Sequence, residues 1–175
     1  MTRSRTITFL VTAAVIPLTA LALASCGGGT SDATASSAPP KTANGRSATV
    51  GVANVGQLGS ILVDAKGRTV YLFEKDTGPK STCFGACATE WPPVTTSGKP
   101  SPGSGVTASM LGTTTRSDGK TQVTYNGHPL YLFEADQKPG DATGQNVDAF
   151  GAKWYVLSAT GDKVTSKGSG GGYAY

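Results

Sequence analysis

The sequence predicts a mainly β fold: one compact antiparallel β domain built from two tandem repeats. The segment Tyr71-Leu72-Phe73-Glu74-Lys75-Asp76 returns sixty residues later as Tyr131-Leu132-Phe133-Glu134-Ala135-Asp136, identical at five of six positions. Each copy follows a glycine turn, at Gly67 and Gly127. Between these landmarks lie short apolar runs rich in β-branched and aromatic residues, cut by turn residues, and no segment sustains a 3.6-residue period. Repetition at a fixed spacing means that one supersecondary unit has been copied.

The chain opens with Arg3 and Arg5, followed by an apolar run from Ile7 to Ala24 that is broken by Pro17. A basic start, an apolar stretch and small residues make a secretory signal peptide over residues 1–25. Leu23-Ala24-Ser25-Cys26 resembles the bacterial lipoprotein signal, in which the cysteine is lipidated and becomes the first residue. The competing reading is an uncleaved membrane helix, since about eighteen apolar residues can just span a bilayer. Cys26 at the lipid-attachment position favours the signal, and several acyl chains on one residue anchor stably where one binds marginally. The expected address is therefore extracytoplasmic, on a bacterial envelope membrane through the lipid on Cys26.

Residues 26–48 contain Gly27-Gly28-Gly29 and Ser36-Ser37-Ala38-Pro39-Pro40, with no large apolar side chain up to Ala48. Such a stretch cannot bury enough surface to offset the entropy of ordering and reads as a lipidated flexible tether. Its r.m.s. reach is about 25 Å. Residues 167–175, which include Gly168 to Gly172, read as a disordered glycine-rich tail. The β domain is expected over residues 49–166, with repeat one at about 58–95 and repeat two at about 118–158.

Within it, Thr49-Val50-Gly51-Val52 and Ser60-Ile61-Leu62-Val63 are strand candidates. The turn Asp64-Ala65-Lys66-Gly67 leads into Arg68-Thr69-Val70-Tyr71-Leu72-Phe73. In the second copy Thr121 to Tyr125 meets Asn126-Gly127, the strongest short-range hairpin signal, before Pro129 to Phe133. Lys153-Trp154-Tyr155-Val156-Leu157 and a short Lys163-Val164-Thr165 complete the set. With a side-chain period of two, Val70 and Leu72 point one way and Tyr71 and Phe73 the other, and the second copy repeats this. A strand apolar on both faces belongs at the centre of a structure. Tyr71 and Tyr131 are expected to pack in the core with their hydroxyls bonded to a neighbour. The alternative is a paired aromatic and acidic ligand site.

These blocks, with the Gly85-Ala86-Cys87 and Trp91-Pro92-Pro93 stretch and the later Trp154-Tyr155-Val156 strand, resemble the secreted-repeat bacterial lipoproteins with a Tyr-x4-Asp motif. Tyr71 with Asp76, and Tyr131 with Asp136, carry the motif, and the resemblance spans roughly residues 50–158. That family is a tandem repeat of unknown function, so the resemblance implies location and architecture but no activity. Tyr71, Phe73, Asp76, Trp91, Tyr131, Phe133, Asp136 and Trp154 are the motif residues, read as structural, with ligand binding as the alternative.

Asp76 and Asp136 fall just past their strands, where a carboxylate can accept N–H bonds from a turn. A calcium site would need several oxygen ligands at close spacing, and Asp136, Asp141, Asn146 and Asp148 form the one candidate cluster, with no counterpart in the first copy. With Cys26 assigned to lipid, Cys83 and Cys87 remain as a pair, and outside the cytosol a disulfide is the default. Four residues apart on a helical turn, their Cα atoms would stand about 6 Å apart, within disulfide range. The sharper alternative is an extracytoplasmic redox or metal-handling accessory centred on Cys83 and Cys87.

Catalytic, cofactor-binding and metal-binding residues are expected to be none. His128 is the sole histidine, in an exposed turn, and Arg68 occupies its place in the first copy. A nucleophile normally needs an adjacent base. Glu74 and Glu134 could serve glycoside hydrolysis, but duplication of their strand accounts for them. Without Arg3 and Arg5, thirteen Lys and Arg face eleven Asp and Glu, and no basic cluster is present, which argues against nucleic acid as a partner. The expectation is a non-catalytic, membrane-anchored envelope lipoprotein that binds an envelope protein or a cell-wall ligand.

Overall fold

A computed structural model describes residues 47–166. The expected signal peptide, Cys26, most of the tether and the tail lie outside the described residues. Among the described residues no helix is long and apolar enough to cross a membrane.

The domain is mainly β and almost wholly antiparallel. Strand β1 (Thr49–Asn54) turns back into β2 (Ser60–Asp64), and β3 (Tyr71–Phe73) follows. A one-and-a-half-turn helix, α1 (Ala86–Glu90), precedes β4 (Ser101–Pro102). The second half holds β5 (Leu111–Thr115), β6 (Thr121–Tyr125), β7 (His128–Pro129), β8 (Asp148–Ala149) and β9 (Ala152–Val156). They form three small sheets, ordered β2-β1-β4, β3-β9-β8 and β5-β6-β7. Among the described residues the one parallel pairing is β1 with β4.

The duplication is visible in the hairpins. β1 and β2 pair from Val50↔Asp64 to Asn54↔Ser60, and β5 and β6 from Leu111↔Tyr125 to Thr115↔Thr121. Aligned from their closing pairs, Val50, Gly51 and Val52 correspond to Leu111, Gly112 and Thr113. The expected Asn126-Gly127 turn closes β6 on β7 with Tyr125↔His128, both turn residues having φ of 48° and 80°. Asparagine and glycine tolerate that left-handed backbone, which a two-residue hairpin requires.

The repeats are interleaved rather than set side by side. β3 of the first copy pairs with β9 of the second, Tyr71↔Val156 through Phe73↔Trp154. Conversely, the second copy's Leu130 to Glu134 lies along the first copy's Glu90 to Val94: Val94 N–H donates to Leu130 C=O at 2.9 Å and Leu132 N–H to Pro92 C=O at 2.8 Å. Pro92 and Pro93 have no N–H to return. The second Tyr-Leu-Phe segment therefore makes bridges instead of the ladder expected for a strand.

Side-chain alternation divides the core as expected. Tyr71, Phe73, Tyr131 and Phe133 enter one cluster with Trp91 and Trp154. Val70, Leu72, Leu130 and Leu132 enter a second with Val123, Tyr125 and Leu157. Three features differ from the sequence reading. β5 was not anticipated, because Leu-Gly-Thr-Thr-Thr carries no apolar alternation. Lys163-Val164-Thr165 makes a single bridge, Leu157↔Lys163, rather than a strand. His128 is half-buried at the start of β7 instead of exposed, because pairing with Tyr125 draws it onto the sheet.

Candidate functional site

The motif residues meet at the junction of the two copies. Tyr71 N–H donates to Tyr131 C=O at 2.8 Å, and Tyr131 N–H returns to Tyr71 C=O at 3.0 Å. This antiparallel exchange sends the side chains to opposite ends of the junction. The Tyr71 hydroxyl donates to Asp136 Oδ2 at 2.6 Å, and the Tyr131 hydroxyl to Asp76 Oδ2 at 2.5 Å. The tyrosine of each Tyr-x4-Asp motif thus bonds the aspartate of the other.

The second carboxylate oxygens hold turns, as expected. Asp76 Oδ1 accepts from the Thr82 N–H at 2.7 Å and hydroxyl at 2.6 Å. Asp136 Oδ1 accepts from the Thr143 N–H at 2.9 Å and hydroxyl at 2.6 Å. Both tyrosines and both aspartates are buried. A hydrogen bond to a charged group contributes roughly 1.5–3 kcal/mol, and the unpaired remnant of a broken buried pair costs more. The groups that could form a tyrosine–carboxylate ligand site are consumed by each other.

Burial raises the Tyr71 hydroxyl's pKa well above the ordinary phenol value, and the Asp136 charge adds to it. Burial does the same at Tyr131, reinforced by its hydrogen bond to Asp76. A raised folded-state pKa contributes stability that is complete below the unfolded value near 10 and is lost as pH rises past it. Between pH 10 and 11 the unfolding free energy should fall by about 2 kcal/mol for the two tyrosines together. Chemical denaturation across that range tests this, and a Tyr71→Phe, Tyr131→Phe double variant should lose most of the slope.

Beside these pairs the rings form a continuous pile. Phe73 stacks on Trp154 at 4.0 Å, Trp154 on Trp91 at 4.0 Å, and Trp91 on Phe133 at 4.1 Å between centroids. Tyr71 meets Trp91 edge-on at 5.3 Å, and Tyr131 meets Trp154 at 5.2 Å. Offset-stacked and edge-to-face geometries are those the ring quadrupoles favour. Gly144 is required here: a Cβ on it would fall 2.6 Å from Trp91 Cη2 and 3.0 Å from Tyr71 Cε1.

The symmetry breaks at the hydroxyl ends. The Tyr131 hydroxyl also meets Ser81 Oγ at 2.7 Å, and Ser81 Oγ accepts from Arg116 Nη1 at 2.8 Å. Arg116 is 4% exposed; it also donates to Gln122 Oε1 at 2.7 Å and, through Nη2, to Cys83 C=O at 2.7 Å. Phe84 covers its guanidinium at 4.8 Å. At the Tyr71 end, Ala142 and Gly144 replace Ser81 and Cys83, and Val55 replaces Arg116. The sequence reading missed Arg116. The signal for it was the five-residue hairpin connection shared with Val55 to Gly59, which places both residues at the same junction.

Cys83 and Cys87 are joined as a disulfide, with Cα atoms 5.3 Å apart. Cys87 sits in α1, which leads directly to Trp91, so the bond pins the start of the segment that carries Trp91 into the core. The Trp91 indole N–H has no partner among the described residues, whereas Trp154 donates to Ala149 C=O at 3.2 Å.

The other sequence candidates do not join this site. Glu74 is exposed and pairs with Lys163, and Glu134 is exposed. In the candidate calcium cluster, which the sequence reading did not favour, Asp136 is bound as above, Asp141 takes the Gln137 and Lys138 N–H groups and the Lys138 ammonium, and Asn146 accepts from Lys153. His128 borders an open cavity of about 580 Å³ with Glu74, Asp162 and Lys163.

A protein-family model described as a secreted repeat of unknown function matches residues 53–95 and again 112–158. The chain belongs to that family. The two matched segments each begin in the first strand of a hairpin, β1 or β5, and each ends at the tryptophan-bearing segment that crosses to the other copy. This secreted repeat therefore has a structural unit whose last segment pairs with the other copy, the first copy's Pro92 and Val94 with Leu130 and Leu132 and the second copy's β9 with β3. No curated protein and no solved structure matches the chain.

Proposed function

We propose that this secreted repeat is a non-catalytic lipoprotein, anchored to an envelope membrane through Cys26, whose β domain binds an envelope protein or a cell-wall ligand. One observation carries the reading. The chemically capable groups repeated in both copies, Tyr71, Asp76, Tyr131 and Asp136, are engaged with one another across the duplication, so the repeated motif builds a scaffold. What can differ between copies and meet a partner is the surface that scaffold displays. The anchor is tested directly. Cys26→Ser should leave unprocessed precursor that takes up no fatty acid label, and labelled mature protein from that variant would remove the anchor from the proposal.

A second reading, an extracytoplasmic redox or metal-handling accessory, draws on the buried Arg116 cation beside Cys83. A neighbouring cation favours a thiolate and makes a disulfide easier to reduce. We expect a structural bond instead, with a reduction potential below about −300 mV. A Cys83→Ala, Cys87→Ala variant should still fold with ~1–3 kcal/mol less stability, because the loop is short. A potential near about −200 mV would put the redox reading first.

A further inference from the structure

The two copies of the hairpin differ in what covers their outer strand. Along β1, Gly103 N–H donates to Val50 C=O at 2.6 Å and Val52 N–H donates to Ser104 C=O at 2.9 Å. The cover is β4 and the residues just after it, an extended Ser101-Pro102-Gly103-Ser104 segment running parallel to β1. A Cβ on Gly103 would lie 3.0 Å from Val50 C=O and 3.1 Å from Gly51 Cα, so the cover needs a glycine where the backbones come closest.

β5 has no such cover among the described residues. Val123 uses its N–H and C=O on Val94 and Leu130, away from β5, so its cross-strand partner Thr113 is not hydrogen-bonded to β6. Leu111 N–H closes the preceding turn on Ala108 C=O, so the Leu111 C=O and both main-chain groups of Thr113 and Thr115 face outward, where Val50 and Val52 face β4 in the first copy. Thr113 and Thr115 are exposed, and β5 carries none of the lysine, proline or bulge that usually blocks an open edge. Beside it runs a cavity of about 410 Å³ between Leu111–Thr113 and Ser97–Pro100. Lys99 is the one charged residue lining that cavity, and it has no ion pair among the described residues.

We infer that the open edge of β5 is a docking site for an extended, small-residue polypeptide segment of a partner, added parallel to β5 and carrying an acidic side chain toward Lys99. Main-chain hydrogen bonds to Leu111, Thr113 and Thr115 would supply the attachment, as in strand addition generally, and Lys99 the charge selection. The first copy shows the form the segment takes, with glycine at the closest approach. The inference rests on the binding-module reading and names its surface.

The probe is a synthetic peptide of residues 100–106 with aspartate in place of Ser104, added to the full chain in detergent and followed by amide hydrogen exchange and NMR shifts. Exchange at Thr113 and Thr115 should slow at least tenfold. Thr113→Pro, which removes an outward N–H while leaving the pairing to β6, should abolish the effect. Lys99→Glu should weaken the aspartate peptide fivefold or more and reverse the preference toward a peptide with lysine at that place. Absence of slowing at millimolar peptide, or an unchanged preference in Lys99→Glu, overturns the proposal. So does slow exchange before peptide is added together with a doubled sedimenting mass, which would give the edge to a second copy. A photo-crosslinker placed in cells at Thr113, at Phe84 and at His128 separates the two levels. Capture only away from Thr113 removes the β5 site and spares the binding module, whereas capture at none removes both.

Discussion

Each repeat expressed alone, as residues 47–95 or 111–166, is expected to be unfolded, and the two mixed together to fold. A unit of about fifty residues is near the lower limit for independent folding. Here the deficit is specific. Residues 47–95 would keep β3 without β9, and Tyr71 without Asp136. Residues 111–166 would keep Phe133 without Trp91, and Tyr131 without Asp76. Near-ultraviolet circular dichroism should show no fixed aromatic environment in either fragment and recover it on mixing. A cooperative melt from one fragment alone would mean that the copies are independent domains.

The second large effect is expected at Trp91. It is fully buried in the middle of the ring pile, stacked on Trp154 and Phe133 and met edge-on by Tyr71. Trp91→Ala should destabilise the domain by ~3–5 kcal/mol, from lost transfer energy and the cavity left behind. A domain of this kind has about 5–15 kcal/mol in all, so the variant should melt far lower or fail to accumulate. Because Trp91 and Trp154 touch, the losses in Trp91→Ala and Trp154→Ala should not add. Strict additivity in the double variant would mean that the stack is incidental.

Much of this was legible in the sequence because it depends on local periodicity. Alternation along residues 70–73 and 130–133 assigned each side chain to the correct one of two core clusters. The Asn126-Gly127 turn and the Cys83–Cys87 bond follow from residue type and spacing, and both are present. What could not be read was which copy each segment serves. Tyr71 and Asp76 are five residues apart and look like partners, yet the antiparallel exchange at Tyr71 and Tyr131 places each aspartate by the other tyrosine. Arg116 was opaque for a related reason. Its burial is set by Ser81, Cys83 and Gln122, whose proximity depends on long-range pairing. β5 escaped notice because an edge strand with no deeply buried face leaves no alternation to detect.

The exchange of strands also bears on descent. A polypeptide with a single copy could satisfy neither its tyrosine hydroxyl nor the stacking of its tryptophan within itself. Two such chains could do so by embracing as a twofold-symmetric pair, each lending the other its final segment. Joining them through residues 96–110 turns that encounter into an intramolecular one at millimolar effective concentration, and the pair no longer dissociates on dilution. Fusion also releases the halves from identity. A mutation in one gene copy of a symmetric pair appears twice at the interface, whereas here Arg116 could enter one end while Val55 stayed at the other. A buried guanidinium, which a symmetric pair would have to fit at both ends, is here accommodated at only one.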